Sequence, residues 1–318
     1  MITQKPLPQA SKQYKAQTRF LFYCHIKIKL PVICHDFYFD FDELFAELER
    51  IDRRYNSYSK DSYISKINKN AGYFTEVDEF TIELLKQVKQ LSGYFQGAYD
   101  ITSMPLLKLW GLHGNEVNKI PSLTEIEATQ RLVNYQNIQI EGNRVKIENG
   151  QEINTGSFLK AYAIDLVLEK LKKDGITDAM INAGGSTIVG INDDEHPNWK
   201  VKVPDIAENT DLFQLKLKNN CFSTSATNTH SNIIEGKEFG HIINATTGCP
   251  SSNYRVGLLT DSCFLGDVLA TGLFSIPSNH FLVTLHKIQQ DFKVEGFLIN
   301  EQGGIISSEN FPVKIDRL

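Results

Sequence analysis

The sequence predicts an α+β fold in which two intimately joined lobes are built on largely antiparallel sheets. Three observations predict it. The 318 residues are enough for one large domain or two lobes in close contact. Strand-like runs follow one another as meanders mixed with helices, without a repeating βαβ order. No stretch rich in Pro, Gly or Ser divides the chain, and no internal repeat is visible.

Residues 1–18 are polar and read as a disordered N-terminal segment, so the folded domain is expected over 19–318. His25 to Leu30 alternate and read as a strand. Phe41, Leu44, Phe45, Leu48 and Ile51 have helical spacing, and "NSYSKDS" follows as a loop. "DEFTIELLKQVKQLSGYFQG" is a second helix with Gly93 as its stop. "PSLTEIEATQRLV" begins on a serine cap before acidic residues, which suit a helix start. "NIQIEGNRVKIEN" is a hairpin turning at Gly142-Asn143. A short strand ending at Ile153, a tight turn at Gly156, a helix from near Phe158, a Gly175 cap and a buried strand come next. "WKVKVPDI", "FQLKLKNNCFSTSA", "GHIINA" and "YRVGLLT" are further strands. "SCFLGDVLATGLFSI" is a short buried helix, and a last helix and hairpin close the chain.

Composition narrows the function. The chain is 41% hydrophobic and 22% charged, as a globular protein is, and its net charge is −5. Without a basic patch, no nucleic-acid partner is expected. No apolar run approaches the roughly 18 residues that span a bilayer, so no membrane span is expected. The N-terminus lacks the basic start, apolar middle and cleavage site of a signal peptide, so the chain reads as cytoplasmic; a trimmed secreted form would read the same. Cys24, Cys34, Cys221, Cys249 and Cys263 are odd in number and form no C-x-x-C pair. That predicts buried reduced thiols rather than disulfides or zinc.

Several stretches carry groups suited to chemistry. In "INTGSFLKAYAIDLV" a strand-to-helix turn offers backbone N–H groups to an anion, with Lys160 in the first turn and Ser157 able to give an oxygen to a hard cation. A capped turn with a solvated lysine is the plainer alternative. "NAGGST" has two glycines after a buried strand, as a close approach or an ordinary turn requires. Ser223, Thr224 and Ser225 stand in a row, suited to phosphate oxygens or simply a polar loop. His241 opens an alternating run that Asn244 closes, and Asn244 is placed to begin an Asx turn into "ATTG". Asp267 and Thr271 are four apart on one helix face, and a carboxylate among apolar residues needs a partner. Magnesium is one partner that accepts a carboxylate, a hydroxyl, waters and phosphates; a helix cap is the alternative. Asp100 and Thr102 form a turn before a helix and Leu-Trp-Gly, near which a planar ring or plain core packing would fit.

Taken in order, these stretches resemble the FAD:protein FMN transferase family, also called the ApbE or flavin transferase family. The likeness covers about residues 50 to 275. It begins with Ser57, Tyr58, Asp61, Ser62, Ile64, Ser65 and Asn68. "GAYDITSMPLLKLWGLHG", "NTGSFLKAYAID", "NAGG", "STSA", "HIINATTGCP" and "GDVLATGLF" follow in family order. The resemblance implies an ApbE-like, T-fold-related fold, with Mg²⁺ as cofactor and FAD as substrate. It implies that FMN is moved to a threonine of an acceptor protein and AMP released. Some members only hydrolyse FAD to FMN and AMP.

Carried over by position, the metal would sit on Asp267, Thr271 and an oxygen of Ser157. FAD would contact Tyr58, Ala98, Tyr99, Asp100, Asn154, Lys160, Ile243 and Ala270. Lys160 would stabilise developing charge with N–H groups near Gly156, and His241 would act as base toward the threonine hydroxyl. Tyr58 would clamp the isoalloxazine. Hard oxygen ligands would take Mn²⁺ as well as Mg²⁺. Four positions depart from the family pattern. Asn154 and Asn244 occupy positions where the family carries Asp, Ala245 replaces a Pro, and Ala161 replaces a Gly. Losing two carboxylates makes a flavin-binding protein with little turnover the main alternative, beside an FAD diphosphatase.

Overall fold

The computed structural model describes residues 12–32, 40–114, 117–205, 210–227 and 231–313. In chain order the strands are β1 (Tyr14–Leu21), β2 (Cys24–Pro31), β3 (Thr75–Glu76), β4 (Gln139–Glu141), β5 (Arg144–Lys146), β6 (Ala179–Ala183), β7 (Thr187–Ile191), β8 (Trp199–Asp205) and β9 (Thr210–Leu217). They continue with β10 (Asn220–Ala226), β11 (Ser231–Ile234), β12 (Lys237–Gly240), β13 (Ile243–Asn244), β14 (Cys249–Pro250), β15 (Arg255–Thr260), β16 (Val294–Ile299) and β17 (Ile305–Ser307). The helices are α1 (Phe41–Tyr55), α2 (Tyr63–Lys69), α3 (Glu79–Ser92), α4 (Met104–Leu109), α5 (Leu123–Gln130), α6 (Leu159–Lys173), α7 (Cys263–Ser275) and α8 (Phe281–Ile288).

An eight-stranded sheet in the order β1-β2-β6-β7-β10-β15-β16-β17 organises the molecule. Every pairing in it is antiparallel, as the meander pattern predicts. Helices α1, α3, α6, α7 and α8 bury their apolar stripes against one face, in a core that includes Phe45, Leu48, Val88, Ile164, Leu269 and Phe281. The β8–β9 hairpin covers part of the other face around Trp199, Leu215, Phe222 and Phe297. A third cluster gathers Leu106, Trp110, Ile126, Ile234 and Ile243 from α4, α5, β11 and β13. These clusters pack helices and hairpins on an antiparallel sheet, the α+β arrangement the sequence implied.

Most local signals act as expected. Ser122 and Glu125 form a reciprocal capping box at α5. Gly142 turns the β4–β5 hairpin with φ +57, and Gly175 ends α6 with φ +80. Four expectations are corrected. The N-terminal segment is not disordered from Tyr14 on: Tyr14–Leu21 pairs along its length with β2, held by alternating residues whose inward members are half-buried; residues 1–11 lie outside the described residues. The strand expected to end at Ile153 is a single bridge between Glu152 and Ser103. "GHIINA" does not run as one strand: Gly240 ends β12, paired with Ser231, the chain bends at His241, and Ile243–Asn244 forms the short β13 before the turn that Asn244 starts. Of the thiols, Cys221 and Cys263 are buried, but Cys24 and Cys249 are half-buried; all four are free, and Cys34 lies outside the described residues.

Candidate functional site

The site lies where α6 and α7 cross the helix-covered face of the central sheet. Helix α7 starts on Ser262, whose side chain accepts from the Leu265 N–H. Asp267 is therefore not a cap: it sits in the second turn, on the face toward β10. Gly266 lets that face come close, since a Cβ there would stand 2.5 Å from Ser223 Oγ and 2.7 Å from Thr260 Oγ1.

Among the described residues the Asp267 carboxylate is held by side chains. Thr187 Oγ1 lies 2.9 Å from its Oδ1 and 2.7 Å from its Oδ2, and Ser223 Oγ donates to Oδ1 at 2.7 Å. Lys160 Nζ, from the first turn of α6, lies 3.2 Å from Oδ2. The lysine also donates to Ser186 Oγ at 3.1 Å and to Thr187 Oγ1. Both charged side chains are largely shielded from water. One turn on, the Thr271 hydroxyl bonds the Asp267 carbonyl at 2.9 Å and lies 3.3 Å from Ser225 Oγ. Ala270, between them, is buried. Strand alternation divides the Ser-Thr-Ser row. Ser223 and Ser225 face α7, whereas Thr224 turns to the Val256 carbonyl at 2.9 Å.

The neighbouring residues form a second group. Tyr99 hydroxyl and Ser157 Oγ are 2.8 Å apart. Burial pushes the Tyr99 phenol well above its ordinary range, with the nearby Asp100 and Asp267 charges acting the same way. Tyr58 donates to Asn154 Oδ1 at 3.1 Å, and burial pushes its phenol up to about 12 against the lowering effect of that bond. The Tyr58 ring meets Tyr23 edge-on, with centroids 5.5 Å apart, and His113 at 4.8 Å. The Ala98 carbonyl accepts from Ala245 N at 3.0 Å, which brings residues 98–100 beside the β13–β14 turn and Ile243. His241 lies two residues before Ile243, in the bend between β12 and β13.

The turn expected at Asp100 and Thr102 is present: Asp100 accepts from Thr102 N, Thr102 Oγ1 and Tyr135 N at 2.6 to 2.8 Å. Burial raises its pKa, opposed by those bonds. The Gly156 N–H is not available to an anion, because it donates to Asn154 Oδ1 at 2.8 Å. The Asx turn expected at Asn244 is present, with Oδ1 accepting from Thr246 N at 2.9 Å and Thr246 Oγ1 at 2.6 Å.

Thr187 and Ser186 were not singled out by the sequence as partners of the lysine and the aspartate. The visible signal was the "GGST" run at the start of a buried strand, which places hydroxyls at the sheet's end. Among the described residues no group of three or more His, Cys, Asp or Glu is gathered for a metal. The donor set around Asp267 is instead one carboxylate and several hydroxyls. Its chemistry fits a hard divalent cation that shares its ligands with phosphate and water.

The model of the ApbE family matches residues 22–294. An FAD:protein FMN transferase of Vibrio cholerae is 28% identical over 235 residues, 71% of this chain and 70% of the relative. The enzyme of that name from Escherichia coli K12 is 22% identical over 244 residues, covering 73% and 69% of the two chains. The ApbE protein of Thermotoga maritima superposes with a TM-score of 0.85 over 96% of this chain and 100% of its own, at 24% identity. The Pseudomonas stutzeri flavinyl transferase ApbE does so at 0.81, covering 94% and 96%, at 22% identity. At those identities the structures establish the fold.

Proposed function

The chain belongs to the ApbE family, and from that premise we propose that it moves FMN from FAD to a threonine hydroxyl of an acceptor protein and releases AMP. The observation that carries this reading is the Asp267 carboxylate, shielded from water and held, among the described residues, by a lysine and two hydroxyls. A structural carboxylate at such a place would normally be tied to backbone.

Asp267 and Thr271, with an oxygen of Ser157, are the residues that would hold Mg²⁺ or Mn²⁺. A bound divalent cation would neutralise diphosphate oxygens and align the phosphorus for in-line attack. Lys160, whose ammonium already reaches Asp267, Ser186 and Thr187, stabilises charge that develops on the same oxygens. Tyr58, fixed by its bond to Asn154, gives the flavin ring an aromatic wall, with residues 98–100, Ile243 and Ala270 around it. His241 accepts the proton of the attacking threonine.

Asn154 and Asn244 favour a second reading, FAD binding with little turnover. One experiment separates the readings. The protein is incubated with FAD and Mg²⁺, with and without an acceptor domain, and AMP is measured. The transferase reading expects AMP only with both metal and acceptor. AMP without acceptor marks a diphosphatase, and no AMP in any arm leaves only binding.

A further inference from the structure

Asp267 has an ion pair where the proposed reading needs a metal ligand. The Lys160 ammonium stands 3.2 Å from Oδ2, and its chain of contacts runs on through Thr187 Oγ1 to both carboxylate oxygens. An ammonium and a divalent cation against the same carboxylate repel each other at contact distance, in surroundings that screen poorly. The arrangement therefore cannot simply accept a metal beside the lysine.

Two features let the lysine leave. It projects from the first turn of α6, whereas Asp267 belongs to α7, so rotation about its own side-chain bonds is enough. A second partner is already in place, because Nζ lies 3.1 Å from Ser186 Oγ at the β6–β7 turn. Thr187 and Ser223 stay on the carboxylate when the lysine moves, so the acid keeps its orientation.

We propose that Lys160 is a resident counter-ion exchanged for the divalent cation. In the metal-free protein it neutralises Asp267; when the cation arrives it releases that carboxylate toward Ser186 and, in the transferase reading on which this rests, toward the substrate diphosphate. The exchange keeps the FAD-free protein a weak metal binder and makes metal and FAD bind together.

The test is an Mn²⁺ titration without FAD, following free Mn²⁺ by electron paramagnetic resonance. Wild type, Lys160→Gln, Lys160→Arg, Asp267→Asn and Lys160→Gln/Asp267→Asn are compared. Removing the ammonium is expected to tighten Mn²⁺ binding on the order of tenfold, while Lys160→Arg, which keeps the charge, binds no tighter than wild type. Both variants lacking Asp267 lose the site. Equal or weaker binding by Lys160→Gln overturns the exchange, as does tight binding that survives in the double variant.

A second measurement titrates the wild type and uses one variant for assignment. Lysines are reductively ¹³C-methylated, and the Lys160 signal, assigned by its absence in Lys160→Arg, is followed through an Mg²⁺ titration. The exchange requires that signal to shift as Mg²⁺ saturates; a stationary signal rejects it. No arm contains FAD or acceptor, so failure here leaves the transferase reading intact. Absence of AMP release would remove that reading and leave a measured exchange standing.

Discussion

Two shielded aspartates flank the start of α7, and they are held in opposite ways. Asp165, reaching across from α6, accepts from Cys263 N and Phe264 N at 2.9 Å each and from Ser262 Oγ at 2.7 Å. Asp267, one turn into the same helix, receives side-chain donors from three other elements and, among the described residues, no backbone donor. A carboxylate on backbone N–H groups cannot leave them without undoing the helix start. One held by a lysine and hydroxyls can change partners by rotating side chains. The first is framework, and the second is free to do chemistry. The Asp100 carboxylate is likewise bonded to backbone, at Thr102 N and Tyr135 N.

Substitutions that separate the two kinds of aspartate break or sharpen this contrast. The largest effect is expected at Asp267→Asn: metal-dependent turnover falls about 10²–10³-fold while urea unfolding shifts little. A large loss of stability with turnover retained would put Asp267 among the framework residues. Asp165→Ala should do the reverse. It strands two backbone donors and a hydroxyl, costing about 2–4 kcal/mol in urea unfolding, with unchanged Mn²⁺ affinity in the folded fraction.

Asp165 also has a pH signature. Burial is the main cause of its raised pKa, opposed by its hydrogen bonds. The folded state thus holds the proton more tightly than the unfolded one. Its contribution to stability is full below the unfolded pKa and is lost as pH rises through the folded pKa. Relative to Asp165→Asn, wild type should lose stability as pH rises from the ordinary aspartate range, a trend that unfolding curves at several pH values will show or refute.

Smaller effects probe the supports. Gly266→Ala drives a methyl into Ser223 Oγ and Thr260 Oγ1, which should cost about 1–3 kcal/mol and loosen the Asp267 face. Thr187→Val removes a donor to the carboxylate and should weaken Mn²⁺ binding roughly tenfold, read by the same titration, with little change in thermal stability. The mildest are Asn154→Asp and Asn244→Asp. Each asparagine is used here through Oδ1 as an acceptor, so a carboxylate keeps those bonds and stability should hold. A rise in AMP release would identify the asparagines as the brake on turnover; no rise would identify them as tolerated.

Much of this was legible in the sequence because it depends on local periodicity. The alternation of "WKVKVPDI" became β8, and the helical spacing from Phe41 became α1. The link between Asp267 and Thr271 needed only the helix repeat. What the sequence concealed was contact across the sheet. Lys160 and Asp267 are 107 positions apart, and Thr187 and Asp267 are 80, so no spacing rule connects them. The N-terminal strand was missed for a related reason: Tyr14 to Thr18 is polar on an edge, and its order comes from pairing with β2 rather than from its own composition.

The most direct test of the contrast is a crystal grown with FAD and Mn²⁺, with anomalous scattering used to place the metal. The account predicts a peak on the Asp267 carboxylate and Thr271 hydroxyl, with the Lys160 ammonium turned to the diphosphate and Asp165 unmoved on its backbone donors. A metal bound to the diphosphate elsewhere, with Lys160 still paired to Asp267, would contradict it.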